Sequence, residues 1–297
     1  MKVALITPWE NAWVPLYKEA IERRGHEFTR LKKPEPGNFD VVLHGWANHD
    51  MPMFTGNRNI MFLRRYELFE PTLSRIDWSR INALICVNSW IRNVMQVSFG
   101  QGKIKTPVHL VYNAADLGRW TFRKRKSNKK IGMACHVHPK KNLPLALQIL
   151  GALPDDYELH IAGQIQDPWT AEYLNNLGQS MKRRLFLYDH IPYDQMDLWW
   201  EQMGVCLSTS LSEGNPNNVI EAMAKGIKPV VHYWPGAEGQ FPEHLFSTVD
   251  EAVKMIRSEE YRSEDYRKEV QEKFSLSNIE RVLDIALKDP EIMWHPV

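Results

Sequence analysis

Short apolar runs of strand length alternate with helical segments along most of the chain. The run KVALIT (2–7) is followed by the amphipathic segment VPLYKEAIERRG (14–25), which Gly25 ends, and HEFTRLKK returns to strand character. Further strand-like runs are DVVLHGW (40–46), NIMFLRR (59–65), ALICVNS (83–89) and VHLVYN (108–113). Because parallel strands need crossover connections, this alternation predicts a parallel sheet covered by helices on both faces.

A second series of the same kind starts after RKRKSNKK (123–130). Its strand-like runs are KIGMACHV, YELHIAG, LFLYD, GVCLSTS and IKPVVHY, separated by helical segments that include LPLALQILGAL and NNVIEAMAKG. A chain of 297 residues is long enough for two such domains. We therefore expect an α/β fold with two Rossmann-like doubly wound parallel sheets facing a cleft, divided into 1–118, 119–275 and a C-terminal helix at 276–297 that packs back toward the first domain.

Charge and cysteine content exclude several classes of protein. Lys and Arg number 37 against 36 Asp and Glu, so no global field draws the chain to nucleic acid or to an acidic membrane. Cys86, Cys135 and Cys206 form no CxxC pair, which argues against a zinc site or a disulfide framework. The first apolar run is too short for a signal sequence or a membrane span. The expected location is the cytoplasm, with peripheral membrane contact left open.

The basic run at 123–130 has two interpretations. Six of its eight residues are Lys or Arg, and such a cluster can contact the phosphates of a nucleic acid. The alternative, which we favour, is a solvated linker between domains, because no aromatic residue is interleaved with the charges.

The segment SEGNPNNVIEAMAKG (212–226) joins the end of a predicted strand to a helix that Gly226 ends. Small residues and a helix N-terminus suit a phosphate or diphosphate. Glu221, about one turn into the helix, can accept hydrogen bonds from a ribose diol, and Glu213 can address whatever is attached beyond the phosphates. The alternative is that both carboxylates merely favour a helix N-terminal region.

A second polar joint occurs in MACHVHPKKNLPLAL, which places His136, Lys140 and Lys141 between a strand and a helix. A lysine there can reach a diphosphate as a point charge. The alternative of two solvated lysines is less favourable, because cations at a helix N-terminus are locally repelled.

The ordered segments resemble retaining glycosyltransferases of the large GT-B family 4. The Glu-x7-Glu signature of that family is similar to EGNPNNVIE (213–221). Other segments similar to the family occur in the same order: MKVALITPW with RRGHE, VHLVYNAADLGRW, KIGMACHVHPKKNLPLAL, ELHIAG and YDHIPYDQMDLWW. The resemblance covers most of the chain, and it implies an N-terminal acceptor domain and a C-terminal nucleotide-sugar donor domain.

The resemblance also implies roles for particular residues. Glu221 would bind the ribose of the donor, and Glu213 would contact the donor sugar. Lys141 falls on the diphosphate lysine, whereas His136 replaces the arginine of the family and is only partly charged near neutral pH. The further donor-binding residues implied are Gly163, His190, Ile191, Gly214, Asn215, Asn217 and Asn218.

The N-terminal domain departs more from the family. PWENAW (8–13) replaces a glycine-rich turn and brings Trp9 and Asn11 to the donor side. In FLRRYELFEP (62–71), Arg65 and Glu67 are the best candidates to face the cleft, with a structural ion pair as the alternative. His44 is a weaker acceptor-side candidate. Trp9, Trp13 and Trp46 can stack on sugar rings or bases, although core packing is the commoner fate of a tryptophan.

The implied activity is the retaining transfer of a sugar from a nucleoside diphosphate sugar, with a UDP-sugar slightly favoured, to an acceptor hydroxyl. No cofactor and no metal are expected. A saccharide, a small molecule and a modified nucleic-acid base remain open as acceptors. The alternatives are a non-catalytic nucleotide-sugar-binding protein on the same fold, a sugar-nucleotide epimerase, and an α/β binding module unrelated to sugars.

Overall fold

The chain folds into two compact units. The computed structural model describes residues 1–9, 13–47, 56–71, 73–100, 105–181 and 184–287. Unit 1 comprises Met1–Ala114 and Phe274–Val297, and unit 2 comprises Ala115–Lys273.

Parallel strands and surrounding helices build both units. In chain order the described strands are β1 (Lys2–Ile6), β2 (Glu27–Leu31), β3 (Phe39–His44), β4 (Gly56–Leu63), β5 (Ala83–Cys86), β6 (Val108–Leu110), β7 (Lys130–Ala134), β8 (Glu158–Ala162), β9 (Leu185–Tyr188), β10 (Val205–Ser208), β11 (Lys228–His232) and β12 (Leu245–Phe246). The described α-helices are α1 (Val14–Arg23), α2 (Ser89–Gly100), α3 (Leu143–Ala152), α4 (Pro168–Ser180), α5 (Met196–Glu201), α6 (Asn217–Ala224), α7 (Ala237–Gln240), α8 (Val249–Arg257), α9 (Ser263–Lys273) and α10 (Ser277–Leu287).

The sheet of unit 1 has the strand order β2-β1-β3-β4-β5-β6. Its described pairings are all parallel, as the sequence predicts. The strand order reverses between β1 and β3, and in open α/β sheets this switch point is where ligands bind. Ile21 of α1 and Leu283 of α10 are buried in the same apolar core as Leu5 of β1, so the last described helix belongs to unit 1.

The sheet of unit 2 has the order β12-β11-β10-β7-β8-β9. Here β7 and β10 are neighbours, and the strand order reverses between them. The strand β10 is buried along its full length, because helices cover both faces of the sheet. The helix α6 returns the chain from β10 to β11, and Gly226 ends it with a φ of +78° that suits glycine. The predicted two-unit α/β fold is confirmed.

The basic run at 123–130 is mostly exposed to solvent, as the sequence predicts, but it belongs to unit 2 and does not link the two units. Several of its charges contact carboxylates of unit 2. The Arg125 side chain is only 9% exposed and binds Glu201 at 2.8 Å. The other described ion pairs of the run are Arg123–Glu201, Lys124–Glu264, Lys129–Asp156 and Lys130–Glu158.

Across the described part of the chain, no helix has the length and apolar character needed to cross a bilayer.

Candidate functional site

A cavity of about 330 Å³ opens in unit 2 beside the carboxyl ends of β7 and β10. This is the switch point of the sheet, where two neighbouring loops diverge and leave room for a ligand. The cavity is lined by Ala134, Cys135, His136, Lys141, Ala162, Gly163, His190, Ile191, Met196, Glu213, Asn215, Pro216, Asn217 and Asn218. Most of the residues that the sequence assigns to the donor therefore meet in one place.

Lys141 and Glu213 form an ion pair at the wall of this cavity. The Nζ of Lys141 lies 2.5 Å from Oε1 of Glu213. The Thr209 hydroxyl donates to the Lys141 carbonyl at 2.7 Å, which ties the turn after β7 to the loop after β10. These contacts hold the Lys141 ammonium group at the wall of the cavity.

Each member of the pair holds the other in its charged form. Burial alone would raise the pKa of Glu213, but the neighbouring Lys141 ammonium holds it below its usual value. Burial alone would lower the pKa of Lys141, but the Glu213 carboxylate holds it above its usual value. Both side chains are therefore ionised at neutral pH.

The His136 ring is exposed and lines the same cavity. Its pKa is lowered by partial burial and by the positive charge of Lys141, with smaller contributions from His190 and His138. The ring is therefore neutral at neutral pH. The family that the chain resembles has an arginine at this position, which would carry a permanent charge. His136 does not supply that charge.

The loop before α6 is held by a buried glutamine. The side chain of Gln240 donates from Nε2 to the Gly214 carbonyl at 2.8 Å. Its Oε1 accepts from the Asn215 side chain at 2.7 Å. The loop enters α6 through Pro216, so that Asn217 and Asn218 line the cavity at the N-terminus of this eight-residue helix. The first helical turn therefore directs its partial positive charge toward the cavity.

Gly163 allows two strand ends to approach each other below the cavity. Its φ is +152°, and a Cβ atom there would lie 2.2 Å from the carbonyl oxygen of Cys135. Any side chain would push the end of β8 away from the residues that follow β7. This glycine is therefore a steric requirement of the cavity floor.

Glu221 lies outside the lining of the cavity but belongs to the same helix, α6. It is half-buried, and the Tyr193 hydroxyl donates to its Oε1 at 3.2 Å. The Arg119 guanidinium lies 4.1 Å above the Tyr193 ring. Burial raises the pKa of Glu221 to about 8, although the Tyr193 hydrogen bond and the Arg119 charge oppose this shift.

The part of the chain that carries the cavity matches a known family model. Residues 128–254 match the family model described as Glycosyl transferases group 1. That segment contains β7, β10, α6 and every lining residue of the cavity. No curated protein sequence matches the chain.

Solved structures resemble the chain at low sequence identity. Sucrose-phosphate synthase from Thermosynechococcus elongatus is 12% identical with a TM-score of 0.72, over 95% of this chain and 97% of that one. HepE from Anabaena, in complex with UDP-glucose, is 11% identical with a TM-score of 0.70, over 95% of this chain and 98% of that one. The chain has the GT-B glycosyltransferase fold.

TarM from S. aureus, in a complex that contains UDP, is 17% identical with a TM-score of 0.68. The match covers 84% of this chain, which spans only 55% of TarM. The segment that matches the glycosyl transferases group 1 model lies within unit 2, and so does the cavity.

The acceptor-side candidates of the GT-B chain lie in unit 1, and two of them are core residues. His44 is fully buried, its Nε2 is 3.0 Å from Oδ1 of Asn59, and burial lowers its pKa to about 4. Glu67 is also fully buried and accepts from the backbone amides of Arg65 at 2.8 Å and Ala47 at 3.3 Å. The expectation that these side chains face a substrate is wrong for this conformation, because neither has exposed surface.

Arg65 likewise points inward. It is 4% exposed, and its guanidinium lies 4.8 Å from the Trp90 ring centroid. The Arg65 backbone amide donates to Glu67. Trp9 belongs to unit 1 and is exposed, whereas Asn11 lies outside the described residues.

Several residues of the site were not found from the sequence. Tyr193 and Met196 lie in the quoted segment YDHIPYDQMDLWW, so their position next to His190 was a usable signal. Arg119 lies in the quoted segment VHLVYNAADLGRW, whereas Gln240 is distant in the sequence and no local pattern marks it. Within the described ranges, no group of three or more His, Cys, Asp or Glu side chains is arranged to hold a metal ion.

Proposed function

We propose that this chain is a retaining glycosyltransferase that transfers a sugar from a nucleoside diphosphate sugar to an acceptor hydroxyl. The observation that carries the proposal is the cavity at the β7/β10 switch point, where Lys141 and the start of α6 offer positive charge to a diphosphate. A UDP-sugar is the favoured donor, because the structures of TarM and HepE contain UDP or UDP-glucose.

Lys141 and the first turn of α6 would stabilise the departing diphosphate. In the transfer, the bond between the anomeric carbon and the diphosphate oxygen breaks, and a bond from the anomeric carbon to the acceptor oxygen forms on the same face. The proton of the acceptor hydroxyl passes to the leaving diphosphate oxygen. Because charge develops on that oxygen, fixed cations near it lower the barrier, and no protein base is required.

Glu213 would position the donor sugar. It reaches the same cavity as Lys141, whose ammonium contacts its oxygen Oε1. Glu221 would accept hydrogen bonds from the ribose diol at the nucleoside end, where Tyr193 orients its carboxylate. His190 and Ile191 would meet the nucleobase through their backbone, and Gly214–Asn218 would hold the sugar and the phosphates.

A non-catalytic nucleotide-sugar-binding protein is the second candidate. The neutral ring of His136 favours it, because the cavity then holds one fixed charge fewer than the family resemblance implies. The two candidates differ only in turnover, since both require donor binding.

Titration calorimetry with UDP, GDP, ADP and dTDP, followed by incubation with the matching sugar nucleotides, tests the proposal. We expect UDP to bind and Glu221→Gln to weaken it. Transfer followed by NMR of the anomeric proton should show the configuration of the donor kept in the product, and chelation of divalent metals should leave the rate unchanged. Binding without transfer or donor hydrolysis would support the second candidate, and no nucleotide binding would contradict both.

A further inference from the structure

Three aromatic side chains lie together at the carboxyl edge of the sheet in unit 1. Trp9 follows β1, Trp46 follows β3 and Tyr66 follows β4. These strands are neighbours in the order β1-β3-β4, and the switch point of this sheet lies between β1 and β3. The three rings, here called the aromatic platform, therefore occupy the place where an open α/β sheet binds ligands.

The rings of the platform contact one another and remain partly open to solvent. The centroids of Trp9 and Trp46 are 5.3 Å apart with an interplanar angle of 86°, and those of Trp46 and Tyr66 are 5.6 Å apart at 45°. Trp9 is 53% exposed and Tyr66 is 38% exposed. A Cβ atom on Gly45 would lie 2.9 Å from the Ile6 carbonyl oxygen, so a glycine here lets the ends of β1 and β3 approach.

Arg64 supports the platform from below. Its guanidinium lies 5.4 Å from the Trp46 ring centroid and 4.7 Å from that of Trp13. It also donates to the Gly45 carbonyl at 3.1 Å and to Oδ1 of Asn113 at 2.7 Å. The Arg64 guanidinium therefore helps to hold the Trp46 ring in place.

The charges beside the platform do not suit an anionic ligand. Arg64 is held by the contacts above, and Arg65 is buried against Trp90. Glu67 is fully buried and accepts backbone amides. A ligand that carries phosphates would require exposed cations, because phosphate contacts dominate the binding of nucleic acids.

We propose that the aromatic platform binds a sugar ring of a neutral saccharide acceptor. A pyranose ring has an apolar face of C–H groups and a polar edge of hydroxyls. Trp and Tyr side chains match it, because they offer rigid apolar faces at a low cost in conformational entropy. This inference rests on the proposed function, since it names the acceptor class for the same transfer.

Binding of short saccharides to the full chain tests the proposal. The probes are maltotriose, cellotriose and chitotriose, with a ten-nucleotide oligo-dT and an oligomeric glycerol phosphate as anionic competitors, measured by calorimetry in the presence of UDP. We expect at least one trisaccharide to bind. Trp9→Ala and Tyr66→Ala should each weaken it by about tenfold or more, and Trp9→Phe by less.

Trp169→Ala is the matched control, because Trp169 is 78% exposed and lies on α4 of unit 2. It should leave saccharide binding unchanged, and UDP binding should be the same in Tyr66→Ala and Trp169→Ala as in the wild type. If UDP binds but no trisaccharide does, or if Trp9→Ala and Tyr66→Ala bind as the wild type does, the inference fails while the proposed function stands. Preferential binding of the oligo-dT or the glycerol phosphate also overturns it. Failure of UDP itself to bind the wild type would instead contradict the proposed function.

Discussion

The ammonium nitrogen of Lys141 lies 2.5 Å from the carboxylate oxygen Oε1 of Glu213, and the two side chains are 22% and 13% exposed. The positive charge of Lys141 is therefore neutralised by Glu213, a carboxylate of the same cavity. A diphosphate that binds Lys141 competes with Glu213. Donor binding should release this carboxylate to contact the sugar, so the pair couples recognition of the phosphates to recognition of the sugar.

Lys141→Met should weaken UDP binding by about 2 kcal/mol or more, because removal of one partner of a close charge pair leaves both the phosphate and Glu213 without a cation. Glu213→Gln should behave differently. It frees Lys141 from its counter-ion, so UDP should bind at least as tightly as to the wild type while the transfer rate falls. Calorimetry and a transfer assay on the same samples separate the two effects.

Lys129→Met serves as the control for Lys141→Met. Lys129 also pairs with a carboxylate, that of Asp156, but the pair is exposed and Lys129 does not line the cavity. Exposed ion pairs contribute little to stability, so this variant should fold as the wild type does. It should therefore match the wild type in UDP binding and in transfer. Equal UDP affinity for Lys141→Met and wild type would show that the Lys141–Glu213 pair is only structural.

Gly163→Ala should destabilise unit 2 and disrupt the cavity. The added Cβ would lie 2.2 Å from the Cys135 carbonyl oxygen and would occupy a backbone conformation with φ of +152°. We expect a loss of about 2 kcal/mol or more in the free energy of unfolding, measured by denaturant titration.

Gly151→Ala is the matched control for Gly163→Ala. Gly151 lies in α3, and an added Cβ would meet only Cε of Met181 at 3.6 Å, which is ordinary contact. Because alanine favours the helix over glycine, this variant should be as stable as the wild type or up to about 1 kcal/mol more stable. A similar loss in both variants would contradict the steric explanation.

Much of the fold was predictable because its elements carry local signals. The apolar run of β10 and the helix that Gly226 ends are visible in GVCLSTS and NNVIEAMAKG, and the structure places both within a residue or two. The residues of the cavity were predictable for the same reason, since a strand end followed by a helix start forms a continuous stretch of sequence. The predicted parallel pairing follows from the alternation of strands and helices.

The misses share a different physical cause, which is burial of charge by distant partners. The Arg184 guanidinium, for example, is buried and donates to the carbonyls of Leu150 and Tyr157. Glu67 was expected to face the cleft, yet it accepts hydrogen bonds from backbone amides inside unit 1. A local sequence pattern does not contain such tertiary partners, and the Gln240 contacts with the donor loop were missed for that reason.

Glu221 should contribute less to the stability of the folded chain as the pH rises from about 5 to 8. Burial raises the pKa of Glu221 from its model-peptide range to about 8 in the folded chain. In this window the folded state holds a proton that the unfolded state has released, so unfolding becomes easier as the pH rises. Glu221→Gln cannot ionise, and it should be more stable than the wild type at pH 8 by on the order of 1 kcal/mol, with little difference near pH 5.

UDP binding gives an independent readout of the same group. Hydrogen bonds from a ribose diol favour the ionised carboxylate, so binding at pH 7 should release protons. Calorimetry in buffers of different ionisation enthalpy measures this release, and Glu221→Gln should remove it. Glu243→Gln, a change to an exposed glutamate outside the cavity, should keep both the pH dependence of stability and the proton release. Unchanged proton release in Glu221→Gln would argue against a ribose contact.

His136→Arg should restore a fixed charge to the cavity and tighten UDP binding. The pKa of His136 is lowered by partial burial and by the Lys141 charge, so the wild-type ring is neutral at pH 7.5 and gains its proton only at lower pH. Wild-type affinity for UDP should therefore rise as the pH falls below about 6.5. The arginine variant should bind about fivefold more tightly at pH 7.5 and lose this dependence. His26→Arg adds the same charge in unit 1 and should leave UDP affinity unchanged, so equal affinities of the His136→Arg and His26→Arg variants would remove His136 from the diphosphate contact.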